Sequence, residues 1–155
     1  MTVAGAARSA APRQRTRRAH AGALVAVAIG GFAGGLARYE IGLALPSPSR
    51  GFPLAVFTVN TSGAFLLALL VVLLDEALPA TAYARPALGT GFLGAFTTFS
   101  SVAGAVDQLG AHGRPGLAAG YLLASTVAGL AAAVAGLLTG RALAGLRSPG
   151  RRERG

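Results

Sequence analysis

The chain has 155 residues, 53% of them hydrophobic and only 12% charged, with a mean hydropathy of +0.58, which is too apolar for a water-soluble domain of this size. It carries a formal charge of +9, all of its basic residues being arginine, and it has no cysteine, so disulfide frameworks, thiolate metal sites and cysteine nucleophiles are excluded. The two histidines, His20 and His112, stand in polar flanks with no partner at metal-ligand spacing, so an enzyme of the metal or triad kind is not expected.

The chain opens on a basic block, Arg8, Arg13, Arg15, Arg17 and Arg18, and closes on another, Arg141, Arg147, Arg151, Arg152 and Arg154. Arginines that bind nucleic acid spread over a folded surface; these abut apolar spans, as topology signals do, and no nucleic-acid partner is expected. Residues 1–20 and 148–155 are expected to be disordered basic tails around a transmembrane domain at 21–147.

Four apolar stretches follow one another: Ala21 to Leu45, Phe52 to Leu74, Pro86 to Leu109 and Leu117 to Gly140. Each has the roughly 20 residues that a helix needs to cross about 30 Å of hydrocarbon. Short breaks rich in Pro, Gly and charge separate them, which makes neighbouring helices antiparallel. The expected fold is an all-α membrane protein with four transmembrane helices. The first run is longer than a secretory signal core and three more follow it, so it is expected to remain as a span.

The first span holds Gly30-Gly31-Phe32-Ala33-Gly34-Gly35, two overlapping GxxxG pairs that let helix backbones approach closely. Near its end stands Arg38, either an interfacial anchor or a charge seeking carbonyl or acidic partners; Glu40 lies at i,i+2, a poor spacing for facing it. The second span contains Asn60 among Val, Leu, Ala and Phe. A side-chain amide in hydrocarbon must be hydrogen-bonded, so Asn60 is either an interhelical clasp or an NH₂ donor to an anion in a pore.

The third span reads Gly89-Thr90-Gly91-Phe92-Leu93-Gly94-Ala95-Phe96-Thr97-Thr98-Phe99-Ser100-Ser101. Glycines followed by hydroxyls loosen helical hydrogen bonding, and a broken helix near mid-membrane is expected. Such a break offers carbonyls to a cation and N–H groups to an anion, with hydroxyls of Thr98, Ser100 and Ser101 as further donors. The electropositive ring edges of Phe96 and Phe99 can touch an anion. Ordinary packing with hydroxyl back-bonding is the plainer alternative. On the fourth span Tyr121 and Ser125 lie one turn apart on one face.

If both tails and the loop with Arg85 share one side, that side holds eleven arginines, and Arg50 with Arg114 gives the other side two. Both termini are therefore expected in the cytoplasm.

Taken together, the glycine-rich segment ending Arg38-Tyr39, the Val59-Asn60 pair, and Gly94-Ala95-Phe96-Thr97-Thr98-Phe99-Ser100 resemble the CrcB/Fluc fluoride channels over roughly residues 24 to 140. The resemblance implies an antiparallel dual-topology dimer in the bacterial plasma membrane that lets fluoride leave the cell. It implies a fluoride route along Asn60, Phe96, Phe99, Ser100, Ser101, Tyr121 and Ser125. It also implies a structural Na⁺ at the dimer centre, held by backbone carbonyls of Gly94 and Thr97, with Arg38 in a structural role.

The sequence departs from that pattern at Val102, where the family has a second pore phenylalanine, at Val56 in place of a threonine, and at Ala105 in place of an acidic residue, with Asp107 two positions away. A protein that pairs with itself in both orientations carries little arginine bias, so the expected partner is an oppositely oriented paralogue rather than a second copy. Two alternatives stand beside this reading. A proton-coupled small multidrug exporter needs a carboxylate in its first span, for which Glu40 is the candidate; the other is a non-conducting membrane assembly subunit.

Overall fold

A computed structural model describes residues 10–45, 51–77 and 83–147. Helix α1 runs Ala10–Ala44, α2 Leu54–Val72, α3 Gly94–Phe96, α4 Phe99–Ala111 and α5 Pro115–Arg147. A π-helical turn, Leu73–Ala77, extends α2, and a longer π-helical segment, Pro86–Leu93, leads into α3. Among the described residues three stretches are long and apolar enough to cross a membrane as unbroken helices: His20–Ala44, Leu54–Asp75 and Pro115–Leu146.

One feature differs from what the sequence led us to expect. Residues 10–20 of the basic tail, expected to be disordered, belong to α1. Ala, Arg and Gln are strong helix formers, and adding residues to an existing helix needs no new nucleus. The third apolar stretch is the one that is not a continuous helix. Thr97 (φ −81°, ψ 152°) and Thr98 (φ −156°, ψ 119°) are extended, so the chain leaves the helix after Phe96 and re-enters it at Phe99.

The bundle is built around backbone approach rather than a large core. α1 packs along Pro86–Leu93, and α2 packs along α5. At the first seam a side chain on Gly30 would fall on the carbonyl oxygen of Ala87, and one on Gly34 on that of Phe92; across from them a Cβ on Gly91 would lie 2.6 Å from the carbonyl oxygen of Val27. The GxxxG pair Gly30–Gly34 thus faces a partner, while Gly31 is in ordinary contact with Gly91 and Ala95, and Gly35 faces open space. Large apolar residues point outward, among them Leu24, Ile29 and Phe32 on α1 and Leu123, Leu130 and Leu138 on α5. That outward face suits hydrocarbon as solvent.

Two buried clusters flank the broken helix. Val59, Leu93 and Phe96 form one; Val102, Leu109, Ala118 and Tyr121 form the other, between α4 and α5. The α4–α5 turn is a helix-ending motif in which Gly113 takes φ +73°, Arg114 N–H donates to Leu109 O at 2.9 Å, and Pro115 starts the next helix. An ion pair between Asp75 and Arg85 ties the end of α2 to the start of the third stretch.

Candidate functional site

The interruption at Thr97 and Thr98 strips the helix of its own hydrogen-bond partners, and side chains take their place. Thr98 N–H donates to Oδ1 of Asn60 at 2.8 Å, across 38 residues of sequence. This fixes the amide's orientation, because Oδ1 must be the acceptor; Nδ2 then donates to the carbonyl of Val56, one turn back on α2, at 2.9 Å. Ser101 N–H donates to Oγ1 of Thr98 at 3.3 Å, an N-cap on α4. Ser100 Oγ and Thr98 Oγ1 share a hydrogen bond of 2.9 Å.

In an unbroken helix the N–H of Thr98 would close on the carbonyl of Gly94, and that of Ser101 on the carbonyl of Thr97. Both N–H groups are diverted to side-chain oxygens, so both carbonyls lose their helical partner. Backbone carbonyls so released are the hard oxygen donors that a small cation takes. Among the described residues no cluster of three or more His, Cys, Asp or Glu offers a metal site of another kind.

Beside the break lies an open cleft of about 340 Å³ lined by Asn60, Thr97, Thr98, Phe99, Val102, Leu122, Ser125 and Thr126. Of the residues expected at the site, it brings together Asn60, Thr97, Phe99 and Ser125. Phe99 is 80% exposed, its ring standing free beside the cleft. Tyr121 is fully buried below it, with the rings of Phe52 and Tyr121 edge to face at 5.3 Å and Phe57 beyond. Among the described residues the buried hydroxyls of Tyr121 and Ser125, one turn apart on α5, make no well-formed hydrogen bond. Unsatisfied buried hydroxyls are rare and costly, about 1–3 kcal/mol each, and mark places where a further group belongs.

Phe96 is not brought to the cleft. The extended residues after it turn the chain, so Phe96 is buried with Val59 and Leu93 and stacks on Phe92 at 5.7 Å. Ser100 is exposed, and Ser101 spends its hydroxyl on Thr98. Arg38 is exposed near the end of α1, beside the equally exposed Glu40. Val102 both lines the cleft and packs in the buried cluster, and Val56 packs against that cluster while its carbonyl serves Asn60.

One residue at the break was not singled out from the sequence. Gly63, one turn after Asn60, is buried, and a Cβ there would fall on the Cγ2 methyl of Thr97 and lie 3.2 Å from Cδ1 of Phe96. A glycine three positions after a lone intramembrane asparagine, on the same helix face, was the signal available.

A family model described as CrcB-like protein, Camphor Resistance (CrcB), matches residues 25–137. The chain belongs to the CrcB family. The match takes in the break and every residue lining the cleft. Among similar CrcB-family proteins, a fluoride-specific ion channel FluC 3 of Streptomyces avermitilis is 51% identical over 129 residues, 83% of this chain. The aligned part spans 62% of that relative's length. A FluC 1 of Streptomyces coelicolor is 41% identical over 128 residues, 83% of each chain. A FluC 1 of Mycobacterium tuberculosis is 46% identical over 110 residues, 70% of this chain and 83% of the relative. Family membership and three long apolar helices make this a multi-pass membrane protein.

Proposed function

We propose that this chain is a subunit of a passive fluoride-selective channel that lowers cytoplasmic fluoride by letting the anion leave the cell. The observation that carries the reading is the cleft at the break. In a bundle whose outer faces suit lipid, it gathers a side-chain amide, hydroxyls and a freely standing phenylalanine ring. These are neutral donors and an electropositive ring edge, which hold an anion without trapping it as a fixed positive charge would. The names of the relatives agree with it. The membrane potential drives anions outward, so no coupled energy source is required.

A cleft with polar walls that opens toward hydrocarbon must be covered, and a second subunit is the natural cover. We infer a dimer of oppositely oriented subunits, and the arginine bias favours a paralogue of opposite bias as the partner. The same bias supports cytoplasmic termini. The carbonyls of Gly94 and Thr97, released from the helical ladder, suit a structural Na⁺ shared between the subunits; when bound, it would supply a positive charge to offset carbonyl dipoles that lack a helical partner. Glu40, exposed near the end of α1, gives little support to a proton-coupled exporter.

Fluoride efflux from proteoliposomes tests the reading. Vesicles holding this chain with an oppositely biased paralogue should release fluoride far faster than protein-free vesicles, and vesicles holding this chain alone should be slow. No efflux in either arm overturns the channel; fast efflux from this chain alone overturns the requirement for a paralogue.

A further inference from the structure

Asn60 and Gly63 lie one turn apart on α2, and both meet the extended residues of the broken helix. Asn60 holds the N–H of Thr98 at 2.8 Å. Gly63 faces the Thr97 methyl so closely that any Cβ would overlap it. The methyl has no easy way out. Oγ1 of Thr97 donates to the carbonyl of Leu93 at 2.9 Å, which fixes χ1, and for a β-branched residue a fixed hydroxyl fixes the methyl as well. The Phe96 ring closes the other side of the contact, stacked on Phe92. The close neighbours of a Cβ at position 63 are Thr97 and Phe96, so the bare backbone there serves the break rather than the general packing of α2.

We propose that Gly63 is a positioning residue for conduction. With Asn60 it forms a socket on α2 that sets the depth and angle at which residues 97 and 98 cross, and so the place where Phe99 stands in the cleft. This rests on the cleft being the fluoride route. A side chain at position 63 pushes Thr97 away from α2, lengthens the Asn60–Thr98 hydrogen bond and carries Phe99 with it.

The test is a double-substitution cycle in the assembled channel, with fluoride efflux and hydrogen exchange at the Thr98 amide as separate readouts. Gly63→Ala should slow efflux by about tenfold or more and speed exchange at Thr98, as overpacking that shifts a functional group does. Adding Thr97→Ser removes the obstructing methyl and keeps the hydroxyl for Leu93. The double variant should therefore regain most of the efflux and protection of Thr97→Ser alone. Efflux and exchange that are unchanged in Gly63→Ala, or equally impaired in the double variant, overturn the proposal. If Gly63→Ala fails to assemble, a double variant that assembles and conducts supports the socket, and one that also fails overturns it. Absence of efflux in the unsubstituted channel would instead fault the functional reading, and the exchange cycle would still decide the socket.

Discussion

The side-chain oxygen of Asn60 accepts the backbone N–H of Thr98 at 2.8 Å, so an amide on α2 takes the place of the helical carbonyl that Thr98 would otherwise use. Asn60→Ala removes that acceptor and leaves a part-buried N–H unpaired, a loss of about 1–3 kcal/mol, and should nearly abolish efflux. Asn60→Asp separates the two roles of the residue. It keeps an acceptor for Thr98 but gives up both N–H donors and brings a negative charge into the cleft. The expected outcome is a channel that folds and does not conduct, measured by thermal unfolding in detergent alongside efflux. Normal efflux in Asn60→Asp would mean that the amide is a clasp alone.

The buried hydroxyls of Tyr121 and Ser125 point to opposite effects on stability and function. Among the described residues neither makes a well-formed hydrogen bond. Tyr121→Phe and Ser125→Ala remove an unsatisfied group, so each should leave the isolated subunit as stable or more stable, by up to about 1 kcal/mol. If these hydroxyls serve the passing anion, both variants slow efflux. A variant that is less stable and conducts normally would sink that assignment.

The glycines of α1 should sort by what faces them. Gly30→Ala and Gly34→Ala drive a methyl into the carbonyls of Ala87 and Phe92, and each should cost about 1–3 kcal/mol of stability. Gly35→Ala enters open space and replaces a poor helix former, for a gain of roughly 0.5–1 kcal/mol. Thermal unfolding of the three purified variants checks the order.

Orientation can be read with reporters at the C-terminus. The arginine bias predicts that a fused green fluorescent protein is bright and a fused alkaline phosphatase inactive, both signs of a cytoplasmic end. Strong phosphatase activity would contradict the count.

What could be read from the sequence was whatever depends on composition over short range. The apolar spans show as long uncharged runs, the Gly30–Gly34 pair as a regular spacing, and the interruption near Thr97 as glycine followed by hydroxyls. What could not be read depends on facing. A helix surrounded by lipid is apolar all round, so periodicity does not say which side meets a neighbour. Phe96 and Phe99 look equivalent in sequence, yet one is buried against Val59 and the other stands in the open, because two extended residues separate them. Gly63 looks like any of the 23 glycines until Thr97 is brought against it from 34 positions away. The helical continuation at residues 10–20 was hidden by charge, which argues for disorder only where no helix is already nucleated.

The two parts of the third stretch answer to different neighbours. Residues 86–96 lie along α1, and α4 lies along α5. A continuous helix would join these pairs rigidly, because bending it breaks its own ladder. Here the ladder is already interrupted, and α2 bridges the two parts through the Asn60–Thr98 hydrogen bond, the Gly63–Thr97 contact and the packing of Val59 on Phe96. Each part of the stretch can therefore follow its own neighbour. One apolar stretch thus serves two separate helix partners.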